Sequence, residues 1–169
     1  MPASFELYLI RHGRAEERGE AWPDDSKRPL TTAGKASMRK AARGLVRLGV
    51  GLDIILTSPY ARARQTAEIV GSEFADRPAL VSVDSLTPNA TFQSLLNDLE
   101  KHARRPRLAL IGHEPSIGEL AARLAGLRRP LEFKKGAICR IDVKTLPPAG
   151  PGALRWFLTP KILRSIRKQ

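Results

Sequence analysis

The chain has 169 residues, 42% of them hydrophobic, which is typical of one globular domain and excludes a disordered chain. Its single cysteine excludes an internal disulfide, and no apolar run approaches the roughly 20 residues that span a bilayer. The net charge of +12 indicates anionic partners, among which nucleic acid, acidic surfaces and phosphorylated molecules all qualify.

We expect a single domain over residues 1–169 that ends in a basic tail over 160–169. The first residues lack the basic and apolar pattern of a secretory leader, so a cytoplasmic protein with no membrane partner is predicted. The sequence does not indicate an oligomeric state.

The N-terminal part begins with a predicted strand over residues 6–11, followed by a polar loop over 14–28. Thr31 and Thr32 are predicted to cap a helix whose apolar residues recur every three or four positions, and Gly49 ends it.

A short apolar run over residues 52–56 predicts a buried strand. Ser58, followed by Pro59, predicts the start of a helix whose apolar face extends to Phe74. A further short strand is predicted over residues 80–83.

The C-terminal part continues the alternation with a helix over residues 92–99 and a strand over 107–111. Ser116 and Glu119 fit a capping box, which predicts a helix that reaches Leu127. The last two predicted strands cover residues 137–143 and 154–158, and a Pro/Gly-rich turn joins them.

This order of elements predicts an α/β fold of three layers, α/β/α, in which helices cover both faces of a mostly parallel sheet. Ligands of such sheets bind beyond the carboxyl ends of the strands. Functional residues are therefore expected directly after strands.

Polar segments follow three of the predicted strands. Arg11-His12-Gly13 follows the first, the segment with Arg62 follows the second, and Gly112-His113-Glu114 follows the strand over 107–111. Two histidines and two arginines are therefore expected at one edge of the sheet.

Such a cluster suits phosphoryl transfer. A neutral imidazole is a good nucleophile toward phosphorus, and guanidinium groups stabilise the charged equatorial oxygens of the transferred group. Gly13 has no side chain, so backbone and phosphate can approach closely there.

Three blocks in this order resemble the signature motifs of the histidine phosphatase superfamily, also called phosphoglycerate-mutase-like. They are Leu9-Ile10-Arg11-His12-Gly13, the run from Ser58 to Ala67, and Gly112-His113-Glu114-Pro115. The resemblance implies that His12 is the phosphoacceptor, that Arg11 and Arg62 clamp the phosphate, and that His113 contacts the phosphoryl group. It implies neither a metal nor an organic cofactor.

Narrower features resemble the SixA-type phosphohistidine phosphatases of that superfamily. Arg28-Pro29-Leu30-Thr31, preceded by Asp25, is one such feature, and Leu86-Thr87-Pro88 is another. The resemblance makes Asp25 the candidate acid, with Glu16 and Glu114 as alternatives, and makes Arg28 a further phosphate contact. Arg14 is a further predicted substrate contact, and it stands where the family often has an acidic or amide residue.

We expect a phosphatase that acts on a phosphorylated protein, with phosphohistidine as its target, because residues 84–90 offer no room for a lid. A phosphatase of small esters such as sugar phosphates is the nearest alternative. A basic nucleic-acid-binding module and a non-catalytic phosphoprotein-binding module are the others, and the scarcity of aromatic residues disfavours nucleic acid. His102 is expected to be solvated, and Cys139 to be a small buried residue.

Overall fold

The computed structural model describes residues 4–167. Within this range six strands and five α-helices follow one another along the chain: β1 (Phe5–Arg11), α1 (Thr32–Arg47), β2 (Ile54–Thr57), α2 (Ala61–Ser72), β3 (Ala79–Ser82), α3 (Phe92–Glu100), β4 (Arg107–Gly112), α4 (Ser116–Ala125), β5 (Ile138–Val143), β6 (Ala153–Leu158) and α5 (Pro160–Ser165). Short 3-10 turns lie at Asp25–Lys27 and Asp84–Leu86.

The strands form one sheet in the order β3-β2-β4-β1-β5-β6. The first four strands of that order run parallel, and β5 pairs antiparallel with β1 and with β6. Because β4 lies between β1 and β2, the residues that follow these three strands meet at one edge. His12, Ser58 and His113 are those residues.

Alternation along the central strands sends side chains to two cores, one on each face of the sheet. On one face Leu9 and Leu110 pack with residues of α3 and α4, such as Leu99 and Leu124. On the other face Ile10, Ile55 and Ile111 pack with α1, α2 and α5. The predicted three-layer α/β fold is confirmed, and Cys139 lies fully buried in β5 as expected.

The start of α1 follows its predicted capping residue. The side chain of Thr31 accepts a hydrogen bond from the backbone N–H of Gly34 at 2.9 Å. The hydroxyl therefore satisfies one of the free donors of the first helical turn.

Two other predicted helix caps are wrong. Helix α2 begins at Ala61 with no side-chain cap, and the Ser58 hydroxyl accepts instead from the N–H of Tyr60 at 3.2 Å. Ser116 is the first residue of α4, and its hydroxyl donates to the carbonyl of Pro88 at 2.9 Å. Neither hydroxyl accepts a hydrogen bond from a backbone N–H within the observed helix.

The end of α4 also differs from the prediction. Gly126 adopts the left-handed conformation with φ of 68° and ends the helix at Ala125. Leu127, which the pattern includes in the helix, therefore lies beyond it and is exposed.

The predicted basic tail contains helix α5, which was not predicted from the sequence. Thr159 caps α5, and Leu163 is fully buried against α1. Residues 168 and 169 of the predicted tail lie outside the described range. Nowhere in residues 4–167 is a helix both long enough and apolar enough to cross a membrane.

Candidate active site

His12 lies directly after β1 and is almost fully buried. Its Nδ1 lies 2.7 Å from the carbonyl oxygen of Gly13. Because a carbonyl oxygen can only accept, Nδ1 carries the ring proton and donates it. The lone pair of the neutral ring is therefore on Nε2, to which Nε of Arg62 donates at 3.3 Å.

The surroundings keep His12 neutral. Burial lowers its pKa to about 3, and the nearby charges of Arg62 and Arg11 act in the same direction, against the opposing effect of the Gly13 carbonyl. At neutral pH the imidazole is thus unprotonated at Nε2, which is the form that attacks phosphorus.

Arg62 extends from the first turn of α2 into the same cluster, and only 2% of it is exposed. Besides its contact with His12, Nη1 donates to the carbonyl oxygen of Asp25 at 2.8 Å and Nη2 to its carboxylate at 2.9 Å. These bonds fix the plane of the guanidinium group beside Nε2 of His12.

His113 follows β4, and its ring centroid lies 5.1 Å from that of His12. Its Nε2 lies 2.8 Å from the hydroxyl of Ser58. The Ser58 hydroxyl accepts from the N–H of Tyr60 and has one hydrogen to donate; when it donates that hydrogen to Nε2, the proton of the neutral ring lies on Nδ1. Burial lowers the pKa of His113 to about 3, and the charge of Arg62 adds to this effect.

Two buried donors of this cluster have no hydrogen-bond partner within residues 4–167: Nδ1 of His113 and Nε of Arg11. Arg11 is held by its Nη1, which donates to the carbonyl of Phe133 at 2.7 Å. An unpaired buried donor costs roughly 1–3 kcal/mol, and the described residues supply no partner to either of these nitrogen atoms.

Asp25 lies at the site, as the sequence predicts, and both of its carboxylate oxygens are bound. One accepts from Arg28 at 2.9 Å and the other from Arg62 at 2.9 Å. Burial raises the pKa of this carboxyl, but the hydrogen bonds and charges of the two arginines outweigh burial and hold the pKa below its ordinary value. An ionised carboxylate has no proton to give, so the geometry favours a positioning role for Asp25 over that of an acid.

Arg28 and Arg14, the other predicted substrate contacts, have different surroundings. Arg28 is buried and donates to Asp25 and, at 2.7 Å, to the backbone carbonyl of Glu16, so it anchors the first loop. Arg14 is exposed and lines a groove beside α1. The predicted contact of Arg28 with phosphate and that of Arg14 with substrate stay predictions.

The alternative acids also differ in their surroundings. Glu16 contributes its backbone carbonyl to Arg28. Burial raises the pKa of Glu114, against the opposing charge of Arg11, and the buried Oε1 of Glu114 has no hydrogen-bond partner in the described part of the chain. The pKa of Glu114 therefore lies above its ordinary value, whereas that of Asp25 lies below it.

Sequence reasoning missed two buried hydroxyls that organise the cluster. Ser58, predicted as a helix cap, orients His113. Thr66 accepts from the N–H of Gly13 at 3.0 Å and donates to the carbonyl of Arg62 at 2.7 Å. Thr66 lies four residues after Arg62, hence on the same face of α2, and this spacing is the signal that could have identified it.

The remaining histidine lies elsewhere. His102 follows α3 and is half-buried, and burial together with the charge of Arg105 lowers its pKa. No group of three or more His, Cys, Asp or Glu side chains in residues 4–167 is arranged to hold a metal ion.

Comparisons with known proteins agree with this geometry. The model of the histidine phosphatase superfamily (branch 1) matches residues 7–86. Phosphohistidine phosphatase SixA of Escherichia coli (strain K12) is 32% identical over 164 residues, which covers 92% of this chain and 94% of SixA. The chain belongs to the histidine phosphatase superfamily.

Further relatives place this histidine phosphatase in the SixA-type branch. The SixA homolog of Haemophilus influenzae is 28% identical over 146 residues, covering 81% of this chain and 87% of the homolog. The solved structure of the protein histidine phosphatase SixA complexed with tungstate superposes with a TM-score of 0.83 at 28% identity, over 94% of this chain and 99% of the other. The enzyme is a hydrolase of phosphate groups, as the motifs predict.

Proposed function

We propose that this phosphatase removes the phosphoryl group from a phosphohistidine of another protein, through a covalent intermediate on Nε2 of His12. The observation that carries the proposal is the neutral His12, whose lone pair adjoins Arg62 while its Nδ1 proton is held by Gly13. The similarity to phosphohistidine phosphatases of the SixA type supports the choice of substrate.

In the first step, Nε2 of His12 attacks phosphorus as the bond from phosphorus to the substrate nitrogen breaks. The electron pair of that bond returns to the substrate imidazole, which carries a proton on its other nitrogen and so leaves as a neutral ring. Arg11, Arg62 and the Nδ1 proton of His113 stabilise the charge on the equatorial oxygens. In the second step, water attacks the phosphorus on His12, inorganic phosphate leaves, and the neutral ring is restored.

The identity of the leaving group favours phosphohistidine over a phosphate ester. A phosphohistidine ring that is protonated on its other nitrogen leaves as neutral imidazole, whose conjugate acid has an ordinary pKa of about 6.5. An alkoxide leaving group needs a proton from an acid, and Asp25 is ionised between its arginines. The first loop therefore suits a substrate that demands little acid catalysis.

The short connection between β3 and α3 also supports a protein substrate. Residues 83–91 alone connect β3 to α3, and the turn Asp84–Leu86 lies within them. A connection this short has no room for a lid that closes over a small molecule. A phosphorylated side chain on the surface of a folded protein can therefore approach the site.

A quench experiment tests the intermediate. Wild type is mixed with a peptide that carries a ³²P-labelled phosphohistidine, stopped within milliseconds and digested, and the label is mapped. We expect the label on His12, its absence in His12→Ala, and its retention in the control His102→Ala. Label on any other residue, or full activity of His12→Ala, contradicts the proposal.

A comparison of substrates tests the leaving-group argument. We expect kcat/KM for sugar phosphates to be lower than for the phosphohistidine peptide by on the order of 10²-fold or more, since a well-placed acid contributes roughly that much. Equal values for the two substrate classes would favour the phosphatase of small esters.

A further inference from the structure

A basic groove lies beside the active site, between α1 and the segment that precedes β5. Its volume is about 570 Å³, and its lining includes four exposed cationic side chains: Arg14, Lys40, Lys135 and Arg164. None of the residues that line it is acidic.

The groove adjoins the nucleophile on two sides. Arg14 follows His12 by two positions, and the N–H of Gly136, the neighbour of Lys135, donates to the carbonyl of His12 at 3.0 Å. Met38 lies between these segments: a Cβ at Gly13 would come 2.5 Å from its Cγ, and one at Gly136 would come 2.8 Å from its Sδ. The segments that carry Arg14 and Lys135 are therefore joined to the backbone of His12, one through the chain and the other through a hydrogen bond.

The charge of the groove is not compensated. Within residues 4–167 no carboxylate lies within 4.0 Å of its four cationic groups, and Arg164 instead donates to the neutral hydroxyl of Ser37 at 2.7 Å.

Other basic clefts of the molecule contain a carboxylate. Arg43 pairs with Glu73 at 3.1 Å in one of them, and Arg18 pairs with Asp25 at 3.6 Å in another. The groove beside the active site thus differs in charge balance from these two, and an unpaired cluster of this kind attracts anions over roughly a Debye length of 8–10 Å.

We propose that the groove binds an acidic surface of the phosphorylated protein substrate, next to its phosphohistidine. The inference rests on the proposed function, because it assigns the groove to the same substrate. Glutamate and aspartate side chains of the substrate pair with Lys40, Lys135 and their neighbours while the phosphohistidine reaches His12. The groove thereby selects among phosphoproteins by the charge that surrounds the modified histidine.

Two matched peptides test this proposal. Both carry one phosphohistidine and have the same length, and four positions on one side of it are glutamate in the acidic peptide and glutamine in the neutral one. For each enzyme the ratio of kcat/KM for the acidic and the neutral peptide is measured at low and at high salt. Both values of a ratio are measured on the same enzyme preparation, so a variant that is only partly folded lowers both equally and leaves the ratio unchanged.

For wild type we expect a ratio of about five to ten at low salt that falls toward one at high salt, as is typical of a few exposed charge pairs. The double variant Lys40→Gln/Lys135→Gln is expected to have a ratio near one at both salt concentrations. The control Arg128→Gln/Arg129→Gln removes the same charge from an exposed pair after α4 and is expected to keep the wild-type ratio.

Three outcomes would overturn the assignment. The first is a wild-type ratio of one, and the second is an unchanged ratio in Lys40→Gln/Lys135→Gln. The third is inhibition of wild type by a short RNA or DNA duplex that exceeds inhibition by the unphosphorylated acidic peptide and is lost in the double variant, because nucleic acid is then the occupant. Failure of wild type to hydrolyse either peptide contradicts the proposed function instead.

Discussion

At the scale of single residues, Asp25 shows how a motif can place a side chain whose ionisation depends on contacts that the motif does not contain. Its position in the first loop predicts proximity to His12, and the structure brings its carboxylate onto Arg62. Its protonation state depends on Arg28 and Arg62, which lie three and thirty-seven positions along the chain. Short-range sequence pattern carries no signal for the longer of these contacts.

Asp25→Asn separates a positioning role from an acid role. We expect kcat/KM to fall about ten- to a hundredfold, because a hydrogen bond to a charged group contributes roughly 1.5–3 kcal/mol. The loss should be equal for a phosphohistidine peptide and for an aryl phosphate series of varied leaving-group pKa. Asp24→Asn, whose carboxylate binds Ser26 instead, is the matched control.

An acid role predicts a different pattern in the same series. The loss in Asp25→Asn would then increase with the pKa of the leaving group, because the poorest leaving groups depend most on proton donation. That slope would contradict the positioning role, and the same measurement on Glu114→Gln would show whether the acid is Glu114.

At the scale of elements, Thr31 and Ser58 illustrate what local pattern can and cannot predict. Both are hydroxyl residues ahead of an apolar helical face, and only Thr31 caps its helix. Ser58 instead pairs with His113, which is fifty-five positions away. The cap of α1 was predictable because its partner lies three residues on, whereas the partner of Ser58 depends on the adjacency of β2 and β4.

Because α5 packs on α1, a glycine-to-alanine change inside α1 is predicted to destabilise the protein, although such a change usually stabilises a helix. Gly44 lies in the interior of α1, and a Cβ there would overlap the carbonyl oxygen of Leu163. Alanine favours a helix over glycine by about 1 kcal/mol, yet overpacking costs roughly 1–3 kcal/mol. We expect Gly44→Ala to lower the free energy of unfolding, measured by urea denaturation.

A double-mutant cycle with Leu163→Ala checks the cause of that loss. Leu163→Ala alone should cost roughly 2–5 kcal/mol, since its side chain is fully buried. If α5 is the obstacle, Gly44→Ala should cost less in the loosened background, with a coupling of about 0.5–3 kcal/mol. Strict additivity of the two losses would place the obstacle elsewhere.

At the scale of the whole molecule, the alternation of strand and helix signals was enough to predict three layers and the edge at which His12 and His113 meet. The antiparallel direction of β5 was not predictable, because a short apolar strand such as Ile138–Val143 carries no mark of its direction. The strand order β3-β2-β4-β1 was not predictable either. It depends on the face of the sheet over which each connecting helix crosses, and short-range sequence patterns do not specify that face.

The two buried histidines determine how the stability of the whole molecule responds to acid. The pKa values of His12 and His113 are lowered to about 3, against about 6.5 in the unfolded chain. Below pH 6.5 the unfolded chain therefore binds protons that the folded one does not, and stability is lost as the pH falls toward 3. Each histidine contributes up to about 1.4 kcal/mol per pH unit in that window.

We expect the slope of unfolding free energy against pH, measured by urea denaturation from pH 7 to pH 5, to be shallower in His113→Gln than in wild type. His102→Gln is the control, because His102 is only half-buried and its contribution should be smaller. Parallel slopes for wild type and His113→Gln would show that the buried ring is protonated in the folded state.

The hydrogen bond from His12 to the carbonyl of Gly13 has a consequence for the lifetime of the proposed intermediate. The carbonyl keeps one proton on the ring while Nε2 becomes phosphorylated, so the phosphorylated ring is cationic. When water arrives, that ring departs as neutral imidazole with no proton to acquire. A carboxylate in place of the carbonyl would stabilise the cationic ring and so lengthen the lifetime of the phosphorylated enzyme. A backbone partner for Nδ1 therefore favours rapid hydrolysis of the phosphohistidine intermediate over its accumulation.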